Sequence, residues 1–210
     1  GSGTRFGGDK QLADLSGMAV LVRSVASASA VSAGVVVVVS AGRRAAVSGV
    51  LSGLERVEAI VDGGATRSES VRCGLAAVPD GAGVVLVHDG ARPLATPDLF
   101  RRVVDAVLAG AVAVVPGVPV TDSLRTADGR VMARDDVTAV QTPQGFNAER
   151  LRSAHAGGGE ASDDATLVEA AGGTVVVVEG EASNLKITRP ADLDLARLEL
   201  ERIVAGSSDA

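Results

Sequence analysis

Short Val-rich runs alternate along the chain with longer segments rich in Ala, Leu and Arg. Val35-Val36-Val37-Val38-Val39 and Val84-Val85-Leu86-Val87 are continuous apolar stretches, the pattern of strands buried on both faces. Such runs predict strands at Gly34–Ser40, Val57–Val61, Gly83–His88, Ala111–Val115, Val137–Gln141 and Thr174–Glu179. Helices are expected at Gln11–Ala30, Arg43–Leu54, Ser68–Val78, Pro97–Ala109, Ala148–His155, Asp163–Ala171 and Pro190–Val204. The last opens with Pro190 in its first turn, where a missing N–H costs nothing. This alternation is that of βαβ units and predicts an α/β fold around a mostly parallel sheet. No period of about 20–50 residues repeats, which excludes a solenoid.

Residues 116–134 break the rhythm, with a turn at Ala127-Asp128-Gly129, short β-prone pieces and no helical pattern. A hairpin-like arm is expected at about residues 116–135, reaching from the sheet toward a partner subunit. Gly157–Gly159 reads as a loop and Gly206–Ala210 as a frayed end.

A chain of 210 residues suits one domain spanning 1–210. Three Phe, no Trp and no Tyr leave the core to Val, Leu, Ile and Ala. The same scarcity excludes an aromatic stacking platform for single-stranded nucleic acid. A net charge of −6 opposes a broad phosphate-tracking surface, though not a small anion pocket. No nucleic-acid partner is expected. The single cysteine, Cys73, cannot form an intramolecular disulfide and reads as packing. The longest run without a polar side chain, Ala106–Val120, is broken by Pro116 and Pro119 and is too short to span a bilayer. With no signal-peptide pattern either, the expectation is a soluble cytoplasmic protein without a membrane partner.

Several motifs follow predicted strands directly, where open α/β sheets bind their ligands. Asp89 closes the run Val84–His88 and is followed by Gly90-Ala91-Arg92-Pro93; a carboxylate there is placed to hold Mg²⁺ against phosphates. Arg92 is expected to pair that Asp or to fix the loop, and His88 to bond within the structure. Gly1-Ser2-Gly3-Thr4-Arg5 with Lys10 combines closely spaced glycines with fixed positive charge, as a phosphate loop requires; a flexible tail is the alternative. It is not a Walker A loop, since that spacing fails. Asp62-Gly63-Gly64-Ala65-Thr66-Arg67-Ser68-Glu69-Ser70 joins a strand to a helix, and reads either as a base-recognising turn or as a helix cap. Later come Thr121-Asp122-Ser123 and Arg134 on the arm, Gln141–Phe146, the pair Asp163-Asp164 as a helix N-cap, and Asn184–Thr188. Within the last, Lys186 needs an anionic partner.

In their order along the chain these motifs resemble the 2-C-methyl-D-erythritol 4-phosphate cytidylyltransferase family. The matching runs are Gly1–Arg5 with Lys10, Gly63–Val71, Val85–Pro93, Pro119–Ser123, Ala139–Phe146, Asp163–Glu169 and Gly180–Leu193. The resemblance implies a Rossmann-like nucleotidyltransferase that joins CMP from CTP to a sugar-alcohol phosphate in non-mevalonate isoprenoid synthesis. It implies a triphosphate loop at Gly1 and Gly3, catalytic cations at Arg5, Lys10 and Lys186, and Mg²⁺ at Asp89. Gly64 and Ser70 would recognise cytosine, with Arg67 supporting their loop. Ser123, Arg134 and Lys186 would hold the sugar-alcohol phosphate, the arm residues serving a neighbouring subunit in a homodimer. The family begins with a short strand and Ala-Ala ahead of the position of Gly1, so the first strand is expected to be missing here. Asp9 stands where Pro is usual, Gly90 replaces Ala, and Ser123 replaces Thr while keeping the hydroxyl. The alternatives are a sibling enzyme acting on ribitol 5-phosphate and a non-catalytic binding module of the same fold.

Overall fold

The computed structural model describes Phe6 and residues 9–208, with side chains through residue 205. Gly1, Gly3 and Arg5 lie outside the described residues. The chain opens with a small hairpin, β1 (Asp14–Leu15) and β2 (Met18–Ala19), which leads into α1 (Val20–Ser29). The helix expected over Gln11–Ala30 therefore starts nine residues late. Ser16 and Gly17 both have positive φ (53° and 80°), the geometry of a two-residue turn that reverses the chain, and Arg23 donates to the carbonyls of Leu15 and Ser16.

Next come β3 (Val35–Val39), α2 (Arg44–Leu51), β4 (Val57–Asp62), α3 (Arg67–Ala76), β5 (Val84–Val87) and α4 (Pro97–Leu108). All lie where the hydrophobic pattern puts them, within three residues at each end. β6 (Ala113–Pro119) runs four residues past its expected end, so the arm leaves the sheet only after Pro119. The arm is a hairpin of β7 (Leu124–Arg125) and β8 (Val131–Met132), returning through β9 (Thr138–Val140), which pairs antiparallel with β6. β10 (Gln144–Asn147), α5 (Ala148–Ala156), α6 (Asp164–Ala170), β11 (Val175–Glu179) and α7 (Pro190–Ser208) complete the order. α7 continues through Ser208, beyond its expected end and into the segment read as frayed.

The larger sheet has the order β11-β6-β10-β5, with β9 also on β6. β11 is parallel to β6, and β5 runs the same way because β5 and β6 are each antiparallel to the β10 between them. β3 and β4 form a parallel pair of their own. The α/β, mostly parallel architecture is thus present, with β9 and β10 as antiparallel members. Among the described residues no ladder joins β3–β4 to the larger sheet. Sequence reading missed β10 because Gln144-Gly145-Phe146-Asn147 carries no β-branched residue. It fits between its neighbours because Gly145 lets α4 close down: a Cβ there would stand 2.5 Å from Val103 Cγ1.

As the composition requires, the core is aliphatic. Leu15, Val20, Leu99, Val103, Val114, Leu151 and Ile187 are fully buried, joined by Phe100 and Phe146. β5, β6 and β11 all point their carboxyl ends to one edge, which collects Asp89, the base of the arm and the segment 180–188.

Candidate active site

Asp89 stands two residues past the end of β5. Its amide donates to Thr142 Oγ1 at 3.0 Å, and its carboxylate pairs with Lys186 Nζ at 2.5 Å. Burial alone would raise the Asp89 carboxyl; the Lys186 ammonium, with Arg92 and Arg67 further off, outweighs it and holds the group below the usual carboxylate range. Lys10 comes from the other end of the sequence. Its Nζ donates to the carbonyl of Ile187 at 3.0 Å, and the Ile187 amide in turn donates to Ala91 O at 2.8 Å. Lys10, Lys186 and Asp89 are therefore brought to one place by the backbone bond from residue 187 to residue 91 and by the Lys10 side chain on the Ile187 carbonyl.

The scaffold behind them is polar and buried. Arg92 fixes the loop rather than pairing with Asp89, since its Nη1 donates to Asn184 O at 2.6 Å. Asn184 Nδ2 donates to Thr142 O and to Gln141 Oε1, and Gln141 Nε2 donates to Glu181 O. His88 bonds within the structure, as expected: Nε2 faces Arg92 O at 3.2 Å and Nδ1 faces Thr142 Oγ1 at 3.1 Å. Of the two neutral tautomers only the one protonated at Nε2 suits both contacts, because the Arg92 carbonyl can only accept while the Thr142 hydroxyl can donate to Nδ1. Burial pushes the His88 pKa down to about 4, in keeping with that tautomer.

The turn between β4 and α3 takes the form of a helix cap, one of the two readings its sequence left open. Thr66 caps α3 in a capping box with Glu69, whose carboxylate accepts from the amides of Ala65 and Thr66. Ser70 Oγ donates to Thr66 O at 2.8 Å. Gly64 has no room for a side chain, since a Cβ would lie 2.3 Å from Glu69 Cβ. Arg67 departs from a purely local role. Its Nη2 bonds Asp164 Oδ2 at 2.6 Å, and Asp164 Oδ1 also meets His155 Nε2 at 3.0 Å. Burial works against the Arg67 charge, but Asp164 more than compensates and its pKa is raised.

Asp163 and Asp164 thus divide. Asp163 is the N-cap of α6 and accepts from Gln144, whereas Asp164, fully buried, is a charge partner and no cap. Its partners lie 97 and 9 residues away, so sequence spacing gave no signal for them. Ser123 and Arg134 are exposed on the arm; Arg134 donates to Thr121 O and stands near Asp135, with no contact to Lys186 among the described residues. Asp9, beside Lys10, is engaged by Arg43 at the start of α2.

Residues 1–202 match the family model described as IspD, 2-C-methyl-D-erythritol 4-phosphate cytidylyltransferase. The chain belongs to this family. A 2-C-methyl-D-erythritol 4-phosphate cytidylyltransferase of Synechococcus elongatus is 42% identical over 96% of this chain and 93% of that protein. One from Frankia casuarinae is 45% identical over 96% of this chain and 79% of that protein. Among solved structures, the cytidylyltransferase of Thermus thermophilus is 39% identical with a TM-score of 0.78, covering 92% of this chain and 94% of that one. A 4-diphosphocytidyl-2C-methyl-D-erythritol synthase from Anaerococcus prevotii superposes with a TM-score of 0.84 at 28% identity over the same shares. Membership in the 2-C-methyl-D-erythritol 4-phosphate cytidylyltransferase family makes the chain a nucleotidyltransferase of Rossmann-like fold. No described helix is long and apolar enough to cross a membrane.

Proposed function

We propose that the chain transfers CMP from CTP to 2-C-methyl-D-erythritol 4-phosphate and releases pyrophosphate. The observation that carries this reading is the meeting of Lys10, Lys186 and Asp89 at the carboxyl end of β5, on a family member's fold. An oxygen of the substrate phosphate attacks the α-phosphorus of CTP in line, the bond to the β-phosphate breaks, and pyrophosphate leaves with the electron pair. The attacking phosphate is already ionised near neutral pH, so no general base is required. The obstacle is repulsion between two polyanions. Lys10, with Arg5, offsets it on the nucleotide side, and Lys186 on the acceptor side.

Mg²⁺ belongs to the same proposal. Among the described residues no three acidic, His or Cys side chains cluster as a protein-built cage. A single carboxylate at Asp89 instead suits an ion that keeps its waters and takes its remaining oxygens from phosphates. Bound there, it would supply further neutralisation of the triphosphate. Gly64 and Ser70 would read cytosine, with Arg67 supporting their turn; Gly1 and Gly3 would line the triphosphate. Ser123 and Arg134 serve a neighbouring subunit in a homodimer, a reading supported by the exposed apolar Val131, Met132 and Val140 along the arm. A cytoplasmic location completes the reading.

Pyrophosphate release from CTP and Mg²⁺ tests the reaction, with 2-C-methyl-D-erythritol 4-phosphate and ribitol 5-phosphate as parallel acceptors. Release with the methylerythritol acceptor is expected. Faster release with ribitol 5-phosphate would move the chain to the sibling reaction, and release with neither would overturn the enzymatic reading.

A further inference from the structure

The turn at residues 63–70 is not held by its own cap alone. From the far side of α5, the segment from Gly159 to Asp164 reaches across and ties it down at several points. Thr66 Oγ1 donates to Glu160 Oε1 at 2.9 Å. Arg72, one helical turn on, donates to Glu160 at 2.9 Å and to Gly159 O at 3.0 Å. The Ala161 amide donates to Ser68 Oγ at 3.4 Å, and Asp164 takes Arg67. Four of these five bonds are charge-assisted, and Asp164 is fully buried while accepting from both Arg67 and His155. Arg67 Nη1 is left buried with no hydrogen-bond partner among the described residues.

We propose that residues 159–164 form a strap that fixes the turn 63–70 and so sets the preference for a cytosine over a uracil nucleotide, with Asp164 and Glu160 as positioning residues. This rests on the turn being the base-reading element of the proposed function. The two bases differ in hydrogen-bond polarity: cytosine presents an amino donor where uracil presents a carbonyl acceptor. A loose turn can rotate a peptide group to suit either base. A turn whose amides and side chains are already committed cannot, and the wrong base then leaves buried groups unpaired. Here the amides of Ala65, Thr66 and Glu69 are taken by the capping box. The strap bonds the side chains of Thr66 and Ser68 in the same turn and takes the Arg67 guanidinium.

Equilibrium binding of CTP and of UTP to the full chain, alongside turnover, tests this in Asp164→Asn and Glu160→Ala. Asn at position 164 offers one acceptor oxygen where two donors converge, while Glu160 is exposed and its loss spares the core. Asp164→Asn is expected to reduce the CTP-over-UTP preference about tenfold, as loss of a charge-assisted bond implies. Glu160→Ala should shift it in the same direction by a smaller factor. The KM for the sugar-alcohol phosphate should stay unchanged in both. If Asp164→Asn does not fold, Glu160→Ala decides alone. Unaltered CTP preference in the folded variants, or no preference in the unsubstituted chain, overturns the strap. Failure of the functional reading is separately visible, as absent pyrophosphate release by an unsubstituted chain that still prefers CTP.

Discussion

Lys10 and His88 show how differently two groups at one site can act. Lys10 donates to the Ile187 carbonyl, and in the proposed reaction its charge would serve the triphosphate. Removing one preorganised charge contact typically costs ~10²–10³ in turnover, and Lys10→Ala should fall in that range. Pyrophosphate release measured on a correctly folded variant checks it, and near-full turnover would remove Lys10 from the reaction. His88 does its work uncharged. Its pKa is lowered from 6.5 to about 4, so between those values the unfolded chain binds a proton that the folded chain refuses. Stability should therefore fall as pH drops from about 6.5 to about 4, with a slope of at most about 1.4 kcal/mol per pH unit from this residue. Denaturant titrations across that range should show a shallower slope in His88→Asn. An unaltered slope would mean that His88 is charged in the folded protein.

At the scale of elements, the β4–α3 turn is packed with little room to spare. Gly64→Ala would drive a methyl group into Glu69 and loosen the capping box, an overpacking strain of about 1–3 kcal/mol. The expected outcome is a lower melting temperature together with a raised KM for CTP; a normal KM would separate the turn from the nucleotide. At the arm, Val131 is 73% exposed and lies opposite Arg125 in a two-stranded hairpin with little apolar cover. Val131→Asp should weaken self-association and reduce turnover together, as read by sedimentation and pyrophosphate release. A dimer of undiminished stability would place the interface elsewhere. The elements most legible in the sequence were those that carry a continuous apolar run or a helical apolar period of their own, such as β3, β4 and α4. Those decided by a distant partner were not. β10 depends on Gly145 meeting Val103, and the role of Asp164 on an Arg 97 residues away. The hairpin before α1 was hidden because Ser16-Gly17 interrupts an otherwise helical composition.

At the scale of the whole molecule, one sheet edge gathers residues from every third of the chain. Lys10, Asp89 and Lys186 are far apart in sequence, yet the backbone links 187 to 91 and the Gln141–Asn184 pairing bring their segments together. Asp89 and Lys186 were legible because a strand end and an apolar setting make an isolated charge conspicuous. Their mutual contact was not, since nothing in spacing reports a pairing across 97 residues. As a whole the molecule offers two ammonium groups and one carboxylate, which must separate from each other to serve a ligand and an ion. A crystal structure of the chain with CTP and Mg²⁺ tests this most directly. The expected result is a single triphosphate bonded by Lys10 Nζ, with the ion between it and Asp89 and Lys186 turned away from that carboxylate. A triphosphate bound elsewhere, with Lys10 still on Ile187 and Lys186 still on Asp89, would contradict it.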